Sequence, residues 1–238
     1  MLRALIWDVD GTLAETEALG HRVAFNRAFE EAGLPWRWGV AEYAELLEVV
    51  GGRERILADL PCRADAPAGA AEREALARRL HLRKNAIYAE LVSQGGIAAR
   101  PGVLRLMHEC HAMGVALAIA TTTSRPNVDA LLRSLLGTGW EKRFAAVVCA
   151  EDAPAKKPDP LVYRVALQRL GVAPGEAFAL EDSPNGLRAA LGAGVRCGIT
   201  RSAYFADGRF DGAAWVRDDL DTPTPLTLTQ IQAAVGAT

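Results

Sequence analysis

Four short stretches of the chain carry side chains that could do chemistry: Asp8-Val9-Asp10-Gly11-Thr12, Thr121-Thr122-Thr123, Lys157-Pro158 and Glu181-Asp182-Ser183. The set amounts to three or four carboxylates, one lysine and a hydroxyl. Acids clustered at neutral pH repel one another and take up protons unless a cation sits among them. Oxygen-only ligands with an open position favour a hard ion such as Mg²⁺, which keeps water and pairs with phosphate. A carboxylate in such a place can attack phosphorus and form an aspartyl phosphate, dividing one hard step into two. A second carboxylate two residues on can protonate the leaving alkoxide and later deprotonate the attacking water. The lysine and the hydroxyl would hold the non-bridging oxygens as charge develops. Gly11 permits the tight turn and close backbone approach that the acidic pair needs.

Taken singly, each stretch has an ordinary structural reading. D-x-D-G-T can be a turn with an Asx cap, and Lys157 a solvated lysine beside a helix. Glu181-Asp182 can cap a helix, and three threonines can simply end a strand. All four follow predicted strands in order, and that joint pattern favours a site over four coincidences.

The elements that position them follow from periodicity. Residues 2–7 form an apolar run of strand length, and then Phe25, Ala28, Phe29 and Ala32 recur at helical spacing until Gly33 and Pro35. Helical patterns continue over 40–49, 54–60 and 72–93, with a polar, proline-containing loop at 62–72. From about residue 100 the pattern alternates: a helix after Pro101-Gly102 with Val103, Leu106, Met107 and Cys110 on one face, then strands at 115–120, 145–149, 177–180 and 195–199, with helices near 126–136, 159–170 and 184–193 between them. Strands alternating with helices predict an α/β fold, a doubly wound parallel sheet covered on both faces. An all-helical cap domain, 16–95, is inserted after the first strand, so the core comprises 1–15 and 96–238. Ligands of such sheets bind at the carboxyl ends of the strands, where the acids are expected.

The bulk numbers narrow the partners. The chain has 238 residues, half of them hydrophobic, and a formal net charge of −2, so no global basic field attracts nucleic acid or an anionic membrane. No signal peptide and no apolar run of membrane-spanning length is evident, which predicts a cytoplasmic protein without nucleic-acid or membrane partners; a monomer is expected. Cys62, Cys110, Cys149 and Cys197 are far apart and fit neither a zinc site nor a disulfide framework. His108 and His111 share a predicted helix but have no third ligand in view, and are read as structural.

The ordered motifs closely resemble the haloacid dehalogenase superfamily of phosphotransferases. The resemblance implies that Asp8 is the nucleophile and Asp10 the acid and base. It places Mg²⁺ on the side chains of Asp8 and Asp182 and the main-chain carbonyl of Asp10, with Glu181 as an outer-shell support, and the phosphoryl group on Thr121 and Lys157. The helical insert is similar to the cap of the β-phosphoglucomutase-like branch, which closes over the core. Finer still, "DVDGTLAETE", "GHRVAFNRAF", "YAELLEVVGGRERI", "LAIATTT", "KKPDP" and "LEDSPNGLRAA" together resemble the CbbY family. Its studied members remove phosphate from xylulose 1,5-bisphosphate, a rubisco inhibitor, in carbon-fixing organisms.

A bisphosphate needs a second anion site. Arg53 and Arg55 in "GGRERI", Lys84, and Ser124, Arg125 and Asn127 beyond Thr122 and Thr123 are the candidates, because guanidinium forks suit phosphate oxygens. Gly51 and Gly52 would let backbone N–H groups approach the ligand, and Glu17 and His21 could bond sugar hydroxyls. Trp7 stands where a smaller aromatic is usual, and Gly20 is one residue more than some relatives carry, which shifts His21 along its helix. The expectation is therefore a Mg²⁺-dependent sugar-phosphate phosphatase acting on xylulose 1,5-bisphosphate. The alternatives are a phosphatase of another small sugar phosphate and a phosphomutase that returns the phosphoryl group to the sugar. A true dehalogenase needs neither Asp10 nor a metal, and a non-catalytic module would show a broken motif.

Overall fold

The computed structural model describes residues 1–236. A short strand, β1 (Ala4–Trp7), is buried at every position. Four helices follow, α1 (Arg22–Glu31), α2 (Val40–Leu46), α3 (Gly52–Asp59) and α4 (Ala70–Ser93). Helices and strands then alternate through α5 (Val103–Ala112), β2 (Ala116–Ala120), α6 (Arg125–Leu136), β3 (Ala146–Val148), α7 (Leu161–Leu170), β4 (Ala177–Glu181), α8 (Pro184–Gly192) and β5 (Arg196–Thr200). Two elements lie beyond those the alternation predicts, β6 (Trp215–Arg217) and α9 (Leu228–Gly236). The chain divides into two compact units, Thr16–Ile97 and the rest, Met1–Glu15 with the chain from Ala98 on.

The larger unit contains the doubly wound sheet. Its six strands are all parallel and run in the order β3-β2-β1-β4-β5-β6. The order reverses between β1 and β4, and the crevice at the carboxyl ends of those two strands is where this topology binds ligands. One face of the sheet is rich in alanine: Ala4, Ala118, Ala120, Ala146, Ala177 and Ala179, with Ile6, Val148 and Ile199, pack with Tyr163 and Ala166 of α7 and with Ala189 and Ala190 of α8. Alanines on both partners let the helices come close to the strands. Residues of the opposite parity, Leu5, Trp7, Leu117, Ile119, Phe178 and Leu180, face the other way and are also buried. The edge strand β6 is held by a ring: Trp215 lies so tightly on Gly198 that a Cβ there would be 2.1 Å from it.

The smaller unit has an aromatic core. Phe25 and Phe29 of α1 meet Trp38 with ring centroids 4.7 and 4.9 Å apart. Asn26 brackets Trp38, accepting from its N–H at 2.8 Å and donating to its carbonyl at 3.0 Å. The indole N–H of Trp38 donates to Asp59 at 2.8 Å, and Arg63 donates to the same carboxylate oxygen at 2.9 Å. Ahead of α1, residues Glu17–His21 wind as a π turn, closed by the Arg22 N–H on the Glu17 carbonyl. A π turn accommodates one extra residue in a helix. Gly20, buried in it, lies against the Tyr88 ring, 2.8 Å from where a Cβ would be.

Candidate active site

Strand register explains how acids far apart in sequence meet. Ile6 pairs with Ala179 and Trp7 with Leu180, so the next residues, Asp8 and Glu181, stand side by side at the strand ends. Alternation turns both toward the face that carries α7. Neighbouring strands lie about 4.8 Å apart, so two carboxylates are forced together. Lys157 bridges them: its Nζ donates to Asp8 Oδ1 and to Glu181 Oε1, each at 2.6 Å, and to the Ala120 carbonyl at 2.9 Å. Tyr163, fully buried on α7, donates its hydroxyl to the same Glu181 Oε1 at 2.6 Å.

Asp182 completes the group. Ligand atoms of Asp8, Glu181 and Asp182 lie within 4.8 Å of one another, and all three residues are buried. Its approach depends on Gly11, whose φ is +85° and whose Cβ, if it had one, would be 2.0 Å from Asp182 Oδ2. Gly186 plays a like part for Glu181, since a Cβ there would fall 1.9 Å from Oε2. The cap of α8 is Ser183, which accepts from the Gly186 N–H at 3.1 Å, so neither acid before it is used as a cap. Asp10 is half-buried in the turn that follows β1, where Leu13 donates to Val9 and Gly11 to Ala14, each at 2.9 Å.

The electrostatics follow from three buried acids, two of them bridged by one lysine. Burial, then the charge of Glu181, pushes Asp8 up to about 7 against the pull of Lys157. Burial, then Asp8 and Glu181, raises Asp182 well above the usual carboxylate range, with a Ser202 hydrogen bond and Arg100 opposing. Burial works against the Lys157 charge, but Asp8 and Glu181 overcome it and hold the ammonium well above its ordinary value. The described residues therefore fit a hard cation: the donors are carboxylate oxygens, and a positive charge among them would relieve the repulsion.

The residues after β2 form a separate hydrogen-bonded turn. Thr121 is buried, and its hydroxyl accepts from the Thr123 N–H at 3.2 Å. Thr122, Thr123 and Ser124 are half-buried, and Asn127 donates to the Thr123 hydroxyl at 3.4 Å. Ser124 starts α6 and has a buried hydroxyl with no partner among the described residues. Arg125 bonds Asp129 at 2.8 Å and lies 5.4 Å over the Trp140 ring.

The remaining candidates belong to the smaller unit: two groups of side chains, one outlier and two glycines. Tyr43 donates to Glu17 at 2.5 Å and accepts from Arg55 Nη1 at 2.8 Å, and Arg55 also holds the Leu46 carbonyl at 3.0 Å. Lys84 Nζ is 2.7 Å from His21 Nδ1 and lies over the rings of Phe25 and Tyr88, at 4.9 and 5.3 Å. Arg53 stands apart, half-exposed and paired with Glu74 at 2.9 Å. Gly51, with φ +107°, precedes α3, and Gly52 lies against His81.

Sequence reasoning did not reach Tyr163, Tyr43, Ser202, Gly186 or Arg100. Gly186 had a usable signal, a glycine inside a predicted helix. Tyr163 and Tyr43 lie within the predicted helices 159–170 and 40–49, and only the fold gives their hydroxyls partners.

Comparison with known proteins places these observations in a family. Residues 2–194 match the model of the haloacid dehalogenase-like hydrolases. The plasmid-borne CbbY protein of Cupriavidus necator is 44% identical over 222 residues, 93% of this chain and 87% of that one. CbbY of Rhodobacter capsulatus is 39% identical over 230 residues, covering 97% of this chain and 99% of its own. The crystal structure of CbbY from Rhodobacter sphaeroides with phosphate superposes with a TM-score of 0.88 at 40% identity, covering 99% of this chain and 100% of that one. A mutant of the same protein in complex with xylulose-1,5-bisphosphate gives 0.87 at 41% identity, over 95% of this chain and 98% of that one.

Proposed function

The chain belongs to the haloacid dehalogenase-like hydrolases, and from that premise we propose that it is a Mg²⁺-dependent phosphatase converting xylulose 1,5-bisphosphate to xylulose 5-phosphate. The phosphatase reading is carried by one observation, the Asp8–Lys157–Glu181 bridge beside Asp182 at the switch point of the sheet. The sugar bisphosphate is supported by the likeness to a protein whose mutant was crystallised with that compound.

In this reading Asp8 attacks the phosphorus of the ester. The Asp8–phosphorus bond forms, the phosphorus–sugar oxygen bond breaks, and Asp10 gives its proton to the leaving oxygen. Asp10 then takes a proton from water as that water attacks the aspartyl phosphate, releasing inorganic phosphate and restoring Asp8. Lys157, fixed by three acceptors, keeps a positive charge beside Asp8 and opposes its protonation. With Thr121 it binds the transferred phosphoryl oxygens. Mg²⁺ would be held by Asp8, Asp182 and the Asp10 carbonyl, with Glu181 in support, and would supply charge stabilisation for the phosphoryl group. Arg55 and Lys84 are the buried cations of the smaller unit and are assigned to the second phosphate, Glu17 and His21 to sugar hydroxyls. Thr122, Thr123, Ser124, Arg125 and Asn127 offer further contacts on the larger unit.

The test is phosphate release with Mg²⁺ across a panel of sugar mono- and bisphosphates. The expected result is highest kcat/KM for xylulose 1,5-bisphosphate and no release after chelation. A panel without any turnover, or conversion of glucose 1-phosphate to the 6-phosphate as the main activity, would overturn the reading.

A further inference from the structure

Arg100 takes no part in the chemistry above, yet it is only 9% exposed and its guanidinium is wholly engaged by loops of the candidate site. Nη1 donates to the Gly11 carbonyl and, at 3.0 Å, to the Thr200 carbonyl. Nη2 donates to the Arg201 carbonyl and, at 2.6 Å, to that of Asp218. Nε is 3.4 Å from the Glu15 carboxylate, and the Arg100 main-chain N–H donates to the Leu13 carbonyl at 2.8 Å. One residue thus ties three segments: the turn after β1, the end of β5 and the stretch after β6.

Two of those segments flank Asp182. On one side is Gly11, whose Cα sits so close that a Cβ would be 2.0 Å from Asp182 Oδ2 and 3.1 Å from Ser202 Cβ. On the other side Thr200 and Arg201 lead into Ser202, whose side chain bonds Asp182. The distance between the Gly11 turn and the loop after β5 therefore sets where Asp182 can stand. A guanidinium presents five donors in a rigid fork, so one side chain holds the Gly11, Thr200, Arg201 and Asp218 carbonyls and faces Glu15 at once, a set that a lysine ammonium with three donors cannot reproduce.

We propose that Arg100 is a positioning residue for the metal site, fixing Asp182 relative to Asp8 by clamping the Gly11 turn to the loop after β5. The inference rests on the reading of Asp8 and Asp182 as metal ligands. Outer partners of ligating carboxylates typically govern about 10- to 100-fold of metal affinity.

The test titrates Mg²⁺ calorimetrically into the unaltered protein, Arg100→Lys and Arg100→Gln, with thermal unfolding and the Mg²⁺ dependence of phosphate release measured alongside. Arg100→Lys is expected to keep a cooperative transition, to bind Mg²⁺ about tenfold more weakly, and to regain kcat within about threefold at saturating Mg²⁺; Arg100→Gln binds more weakly still. Affinity within about twofold in both variants, a turnover loss that saturating Mg²⁺ does not recover, or failure of both variants to fold would each overturn the proposal. If the unaltered protein neither binds Mg²⁺ nor releases phosphate, the functional reading beneath it fails instead.

Discussion

The two units support the buried charges of their candidate residues on different scaffolds. In the larger one, three carboxylates gather at the ends of parallel strands and a lysine bridges two of them. In the smaller one, Lys84 is set against a histidine and two aromatic rings, and Arg55 against a tyrosine hydroxyl, a carbonyl and, at 3.9 Å, the Glu17 carboxylate. Asp8 and Glu181 are placed by backbone register. The bases are held by side chains packed on helices, whose faces accept many substitutions. A site whose chemistry is constant is best placed on the first kind of support, and one that selects a substrate on the second.

Removing the proposed nucleophile, Asp8, should have the largest effect on that contrast. Asp8→Asn is expected to lower kcat by about 10⁴-fold or more while leaving the thermal midpoint unchanged or raised, because one member of a repelling buried set is neutralised. A steady-state assay paired with calorimetry checks it, and a variant retaining a tenth of its turnover would break the comparison. Lys157→Met comes next: it strands Asp8 and Glu181 without their shared cation, which should cost about 3–5 kcal/mol in urea denaturation as well as the activity.

Lys84→Met sharpens the other side. Swapping a buried ammonium among aromatic rings for an apolar chain should leave stability unchanged or higher. KM for the bisphosphate should rise about 10- to 100-fold, with hydrolysis of a small aryl phosphate within about threefold of the unaltered protein. Equal losses on both substrates would deny the smaller unit a role in selection. The mildest change is Tyr163→Phe, which takes one hydrogen bond from Glu181 and leaves Lys157 in place. It should cost about 1–3 kcal/mol of stability, read from the shift in denaturation midpoint at constant slope.

Legibility in the sequence followed the same division. The strands and helices from β1 to β5 were readable because each carries its own periodicity. β6 was not, since three half-buried residues make no pattern and the strand is held by the Trp215 ring on Gly198. The π turn at Glu17–His21 was visible only as an apparent surplus glycine. Arg53 and Arg55, two residues apart in one motif, read alike. Packing separates them: Arg55 is turned inward to Tyr43, Arg53 outward to Glu74.

By itself the sequence determined the motifs, their order after predicted strands and hence the class of chemistry, because Asp8 and Asp10, and likewise Glu181 and Asp182, stand within a few residues of each other. Only the tertiary structure decided that Asp8 stands beside Glu181, 173 positions away, with Lys157 between them and Asp182 pressed onto Gly11. The reason is that parallel pairing joins strands distant in the chain, so their register is set by the packing of the whole sheet and leaves no trace in any local stretch.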